Sequence, residues 1–275
     1  MQKIPCSVSI LTLNSEKTLR RALQSLKDFE DVFILDGNST DKTREIANSF
    51  GIRIVPQFES QEKNIKINDF TAMREKALSL CKYDWVLNID SDEWLSPGLV
   101  SEIAEFIKKD EPKKAGFAQE IIVLDNGEGR KIEQAFSYPQ YTKVRIFNKK
   151  SGIHFKKGKM VHERLFLPAD VTRHYFTSPA YFSWPTYQEF FRKMKYYLAL
   201  EIGQQKKVNF SPMTALKFAL MDTAQGIYIF LKELRIQIIY GPKKTIPFKF
   251  IWPFVYYHFM LAWNFLKKNV FQHWI

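Results

Sequence analysis

The chain has 275 residues, enough to bury a full core as one large domain or two small ones. Its two cysteines, Cys6 and Cys81, form no CxxC pair, which excludes a disulfide framework and points to a reducing compartment. The net charge of +12 is uneven: residues 181–275 carry thirteen Lys or Arg against four Asp or Glu, and the first 180 carry twenty-eight against twenty-five. A near-neutral part is thus joined to a basic, aromatic-rich part suited to an anionic partner: phospholipid headgroups, a phosphorylated substrate or nucleic acid. The stretch MQKIPCSVSILTLNSEK has too short an apolar run for a signal peptide, so a protein of the cytosol or of a cytosolic surface is expected.

SVSILTL, residues 7–13, reads as the first strand. NSEKTLRRALQSL follows as a helix, with Leu19, Ala22, Leu23 and Leu26 at helical spacing and Ser15 as its N-cap. DVFILD is a buried strand, and STDKTREIANSF a helix started by Ser39, Thr40 and Asp41 and closed by Gly51. Asp41 suits the positive end of that helix. IRIVP is the third strand; NDFTAMREKALSL is a helix with Phe70, Met73, Ala77 and Leu80 on one face; DWVLNI is the fourth strand. This alternation predicts an α/β fold, a doubly wound and mostly parallel sheet.

In such sheets ligands sit outside the carboxyl ends of the strands, near the reversal of strand order. Thr12 and Asn14 end the first strand, Asp36 the second, and Asp90 and Asp92 the fourth, so three segments deliver polar groups to one edge. The first glycine is Gly37, and neither GxGxxG nor GxxxxGK[ST] occurs, which disfavours a dinucleotide fold and a P-loop. A divalent cation, Mg²⁺ or Mn²⁺, held by carboxylates and shared with a diphosphate is the other way to manage phosphate. It also explains why WVLNIDSDEWL crowds Asp90, Asp92 and Glu93 together. Glu93 is free either to reach an acceptor or to stay in water. Cys81 is read as core packing.

The C-terminal part changes character. Thr186 and Glu189 predict a capping box for a helix bearing Phe190, Met194, Tyr197 and Leu198. Ser211 and Pro212 start a second helix, stopped by Gly241 and Pro242. In FKFIWPFVYYHFMLAWNFLKK, a helix from Pro253 to Lys268 is about 24 Å long, short of the roughly 30 Å hydrocarbon core. His258 and Asn264 interrupt it, and Trp252, Tyr256, Tyr257 and Trp263 favour a membrane–water interface. The expectation is an in-plane anchor on an anionic membrane; the alternative is packing on the α/β domain or across a homodimer. Two regions are expected: an α/β domain over 1–180 and a helical extension over 181–275.

SILTLNSE (with Thr12, Asn14 and Glu16), ILDGNSTDKT and WVLNIDSDEWLS, in that order, resemble the family 2 glycosyltransferases, whose GT-A type domain carries a D-x-D metal motif. VRIFNKK, GKMVHERLF and RHYFTSPAYFSWPTYQEFFRKMKYY are similar to a branch that includes lipopolysaccharide-core glucosyltransferase-like proteins. One departure is that Arg74 is followed by Glu75, where the family commonly has Asn. The resemblance implies an inverting transfer of a sugar from a nucleotide-sugar, taken as a UDP-sugar. The acceptor would be a hydroxyl of a glycan or lipid-linked molecule in cell-envelope synthesis, with the enzyme peripheral on the inner face of the membrane. The implied donor contacts are Thr12, Asn14, Glu16, Asp36 and Arg74. Asp92 is the implied metal ligand with Asp90 close by, unless Asp90 contacts the ribose. Glu163 is the first choice for the base that deprotonates the acceptor, and His162 the second. His174 either completes the metal shell or is a packed structural residue. Two other classes remain. A metal-dependent nucleotidyltransferase would want a Gly-rich loop after the first strand. A non-enzymatic basic membrane-binding module would leave the acidic edge unexplained. No DNA- or RNA-binding motif is visible, so no nucleic-acid partner is expected.

Overall fold

In the computed structural model, described for residues 3–124, 130–132, 142–156, 165–205 and 208–271, the first apolar run forms β1 (Ile4–Thr12). Its residues from Cys6 to Ile10 are all buried, as expected for a strand covered on both faces. The elements that follow are α1 (Leu19–Ser25), β2 (Phe29–Asp36), α2 (Thr43–Ser49), β3 (Arg53–Pro56), α3 (Phe70–Ser79) and β4 (Trp85–Asn88). Then come β5 (Glu93–Leu95), α4 (Pro97–Lys108), β6 (Lys114–Leu124), β7 (Arg130–Ile132) and β8 (Thr142–Asn148). Short strands β9 (His154–Phe155), β10 (Leu165–Phe166), β11 (Thr172–Tyr175) and β12 (Ala180–Trp184) precede α5 (Tyr187–Gln205), α6 (Pro212–Tyr240) and α7 (Trp252–Asn269).

The main sheet runs β3-β2-β1-β4-β8-β6-β12-β5, with β11 and β7 also on β6. β3, β2, β1 and β4 are mutually parallel, as expected; β8 then pairs antiparallel with both β4 and β6. The chain lays β2 and β3 on one side of β1 and β4 on the other. The reversal of strand order therefore falls between β1 and β4, the place outside whose carboxyl ends sheets of this kind bind their ligands. Alternation along β2 divides the core into two layers. Ile34 packs with Leu19 and Leu23 of α1, Ile46 of α2 and Ile103 of α4; Phe33 and Leu35 pack with Met73 and Ala77 of α3.

Two helix starts differ from the sequence reading. α1 begins at Leu19 because the carbonyl of Ser15, not its hydroxyl, accepts the amides of Thr18 and Leu19. α2 begins at Thr43, so Ser39, Thr40 and Asp41 belong to the loop ahead of it, and Asp41 Oδ1 accepts the Thr43 amide. Gly51, at φ +67°, closes α2 as expected.

By contact density the chain forms two compact units, 1–121 with 141–183 and 122–140 with 184–275. The second unit thus takes in β7 and the end of β6, which pair over Ile122–Leu124, in addition to the helical extension. In it the Thr186–Glu189 capping box is reciprocal: the Thr186 amide donates to Glu189 Oε2 at 3.1 Å, and the Glu189 amide to Thr186 Oγ1 at 3.3 Å. The Ser211 hydroxyl accepts the Thr214 amide at the start of α6, and Gly241 (φ +78°) ends it. Small residues let α6 and α7 approach: Ala215 and Ala219 meet Ala262 and Phe265. No helix among the described residues is long and apolar enough to cross a membrane.

Candidate active site

β1 and β2 pair in parallel with Thr12 opposite Asp36, so the loops leaving them start side by side. The Thr12 hydroxyl donates to Asp36 Oδ1 at 3.0 Å, the Ser39 hydroxyl to the same oxygen at 2.6 Å, and the Ser39 amide to Oδ2 at 2.9 Å. All three residues are buried, so the carboxylate is held in one orientation. Asn14 takes a left-handed conformation (φ +50°), which asparagine tolerates, and its Oδ1 accepts the Thr40 amide at 3.0 Å. Glu16 Oε2 accepts the Lys42 amide at 3.0 Å, while the Glu16 amide donates to Asp41 Oδ2 at 3.0 Å. The T-x-N-x-E residues therefore stitch the loop after β1 to the loop after β2. A cavity of about 210 Å³ opens beside them, lined by Asp36, Gly37, Arg44, Pro56, Phe58 and Ile65 among others. Of the four donor-contact candidates on these loops, Asp36 alone lines it. Gly37 is obligatory there, because a Cβ would lie 2.6 Å from the Ile65 carbonyl oxygen.

The second part of the site lies beyond β4. Ser15 ties the two parts together, its hydroxyl donating to Ser91 at 3.0 Å. Asp90 is gripped on both oxygens: Arg74 Nη2, from α3, donates to Oδ1, and Lys143 Nζ, from β8, reaches Oδ2 at 3.0 Å. Lys143 also reaches Glu93 Oε1 at 2.8 Å. Arg145, two residues along β8 and so on the same face, binds Glu93 Oε2 at 2.5 Å and Glu120 Oε1 (β6) at 2.6 Å. The Asp90 amide closes the turn by donating to Glu93 Oε2 at 3.0 Å. Arg145 is fully buried and Glu93 is 2% exposed, so the reading of Glu93 as an acceptor contact or a solvated group is corrected. It is an internal anion that two cations hold.

These environments drive the carboxyls apart. Burial opposes ionisation of Asp90, but Lys143 and Arg74 outweigh it and keep its carboxyl below the usual range. Burial likewise opposes Glu93, and Arg145 and Lys143 hold it well below. Asp92 goes the other way: burial first, then the charges of Asp90 and Glu93, push its carboxyl up to about 7. Burial and a hydrogen bond with Glu93 push Glu120 up to about 8. No ion pair reaches Asp92 among the described residues, and no group of three His, Cys, Asp or Glu among them could cage a metal ion. Asp92, partly exposed, and Asp90, neutralised by its cations, supply one or two carboxylate ligands, a set that fits Mg²⁺ or Mn²⁺ only where most other ligands come from elsewhere.

The profile of glycosyl transferase family 2 matches residues 7–164, which contain all of these groups. The chain belongs to glycosyl transferase family 2. A Rickettsia typhi glycosyltransferase is 34% identical over 151 residues, covering 54% of this chain and 48% of that protein. The lipopolysaccharide core biosynthesis glycosyltransferase LpsC of Rhizobium meliloti is 30% identical over 108 residues, 38% of each chain. The chain thus spans about half the length, or less, of these curated relatives. A crystal structure of S. aureus TarS 1-349 in complex with UDP superposes with a TM-score of 0.46 at 17% identity, covering 92% of this chain and 90% of that one. The mostly parallel sheet is the GT-A type expected from the family 2 resemblance.

Not every expected residue of the family 2 site converges. His174, on β11, packs at 5.3 Å from the Phe106 ring and 5.0 Å from Phe176. Phe106 in turn touches Trp85, the first residue of β4, whereas Asp90 and Asp92 lie beyond its last. His174 is therefore an aromatic packing residue at the other end of the strand, and its assignment to the metal shell is corrected. His162 and Glu163 lie outside the described residues. Conversely, Lys143, Arg145 and Glu120 escaped the sequence reading. The signal was present in TKVRIF, where two cations on one face of an apolar strand require buried carboxylates.

Proposed function

We propose that this chain moves a sugar from a nucleotide-sugar, specifically a UDP-sugar, to a hydroxyl of a glycan or lipid-linked acceptor, with inversion. What carries the reading is the position of Asp90 and Asp92 beyond β4, at the reversal of strand order and beside the braced loops of β1 and β2. The cavity at Asp36 is the pocket for the nucleoside. Each carboxylate oxygen can accept two hydrogen bonds, so Asp36 Oδ2, which accepts the Ser39 amide, keeps capacity for a ribose or base donor. Asp92, with Asp90 beside it, would hold Mg²⁺ or Mn²⁺, which when bound neutralises charge developing on the leaving diphosphate. Arg74 and Lys143, anchored on Asp90, add fixed positive potential at the same point without needing to reorganise. LpsC, by its name, acts in lipopolysaccharide core biosynthesis, which supports a cell-envelope acceptor. Cys6 and Cys81 are both buried free thiols, which suits work on the cytoplasmic side.

The decisive measurement is thermal stabilisation. UDP with Mn²⁺ is expected to raise the melting temperature, by the equivalent of about 2.7 kcal/mol at a hundredfold excess over Kd. GDP and CDP should give less. If no nucleoside diphosphate stabilises the protein, with or without metal, the glycosyl-transfer reading fails; full stabilisation by UDP in EDTA would remove the metal alone. Glu163 is our choice for the base. Glu163→Gln is expected to leave UDP affinity intact and lower kcat roughly 10²-fold. Loss of UDP affinity instead would make Glu163 a donor contact.

A further inference from the structure

α6 exposes an unbroken apolar stripe on its outer side. Met213, Leu220, Ile227, Leu231, Leu234 and Ile238 follow one another by seven, seven, four, three and four positions, so they share one side of the helix. Their exposure runs from 39% to 78%, far too much for core residues. The opposite stripe, which includes Ala215, Ala219, Gly226 and Glu233, is buried. Charge follows the same division. Both acids of the helix are turned inward: Glu233 is 1% exposed, and Asp222 pairs with His258 of α7 at 3.0 Å. The cations Lys217, Lys232 and Arg235 flank the apolar stripe. Lys232 and Arg235 share a hollow of about 580 Å³ with Tyr228, Leu231 and Ile239. α7 extends the surface: the half-exposed Trp252 stands 5.9 Å from Phe230, and the Phe259 ring covers Gly226.

We propose that the outer face of α6 docks flat on an anionic lipid bilayer, with its Leu, Ile and Met side chains at the acyl boundary and Lys232 and Arg235 on headgroup phosphates. A solvent-facing side with cations and no acid is complementary to a phospholipid surface. A second copy of the chain would bring like charges together. No described helix can span the bilayer, so the helix lies in its plane. The main contact with the bilayer thus lies on α6 and not on the 248–268 segment expected from the sequence, and it is independent of the chemistry at Asp90 and Asp92.

The test uses the full chain, sedimented with vesicles of phosphatidylcholine alone or mixed with phosphatidylglycerol. Binding is expected to the mixed vesicles and weakly, if at all, to the neutral ones. Lys232→Gln with Arg235→Gln should reduce partitioning by about fivefold for each cation removed. Leu220→Glu with Ile238→Glu should abolish it. The apolar pair changes only strongly exposed side chains, so its circular dichroism melting curve should match the unaltered protein. UDP-dependent stabilisation should be the same in all variants. If UDP stabilises none of them, the donor reading fails while the vesicle result still decides the lipid reading. Equal binding to both vesicle types, or binding indifferent to both pairs of substitutions, overturns the proposal. So does a full chain that ignores vesicles and sediments as a dimer that Leu220→Glu with Ile238→Glu dissociates.

Discussion

Asp92→Asn is expected to lower sugar transfer by about 10³-fold and, at the same time, to raise the melting temperature at pH 8. The two effects share one cause. Burial, with Asp90 and Glu93 nearby, lifts the Asp92 carboxyl to about 7, whereas in an unfolded chain it titrates near 3.9. Between those values the folded protein keeps a proton that the unfolded chain has released, so this residue's contribution to stability falls as pH rises from about 4 to 7. Above 7 the folded protein carries an anion that its surroundings resist. The amide removes that anion, and with it the ligand for the diphosphate-bound cation. At about pH 3, below both values, the carboxyl is protonated in the folded and the unfolded chain alike, so Asn and Asp should melt alike. Transfer assays and melts at the two pH values check this. Normal metal-dependent turnover, or a variant less stable at pH 8, would mean that Asp92 is a structural carboxylate.

Arg145→Ala is expected to cost about 3–5 kcal/mol of folding stability, the usual consequence of removing one partner from a buried ion pair. Arg145 is fully buried, and its two terminal nitrogens satisfy Glu93 at 2.5 Å and Glu120 at 2.6 Å. Without it Glu93 retains Lys143 but loses its closer partner, and Glu120 is left with no strong cation, Lys143 being 3.9 Å away. Urea denaturation at neutral pH measures the loss. Adding Glu93→Gln should recover a substantial part, because the stranded charge goes with it. Arg145→Lys should rescue little, since an ammonium cannot reproduce two forked contacts. A loss under about 1 kcal/mol for Arg145→Ala would show that water reaches the cluster and that the pair is not internal.

The elements up to β4 were legible because their signals are local. Ile34 and Leu35 sit in a run too apolar for anything but a covered strand, and Met73 and Ala77 recur at the helical period. Capping was legible where a side chain makes the cap, as at Thr186 and Ser211, and misread at Ser15, where a carbonyl does. The carboxylates beyond β4 were also legible, through their crowding. Their cations were not, because Lys143 meets Asp90 only through the antiparallel pairing of β8 with β4, across 53 positions of sequence. The bracing roles of Asn14 and Glu16 depend in the same way on the register of β1 with β2. His174 misled for the converse reason. A histidine among aromatics gives no sign of which end of the sheet it will occupy until β11 is seen to lie along β6.

The stitching of the loops also bears on the entropy of association. Asn38 donates its side-chain amide to the carbonyls of Gln61 and Glu62, Thr40 bonds Asn64, and the Ile65 amide donates to the Gly37 carbonyl. The stretch from Ser60 to Ile65, which has no helix or strand of its own, is thus laced to the loop that Thr12, Asn14 and Glu16 already hold. Both walls of the Asp36 cavity are ordered by bonds within the chain. A nucleoside entering it has little backbone freedom left to freeze, so more of its contact energy survives as affinity.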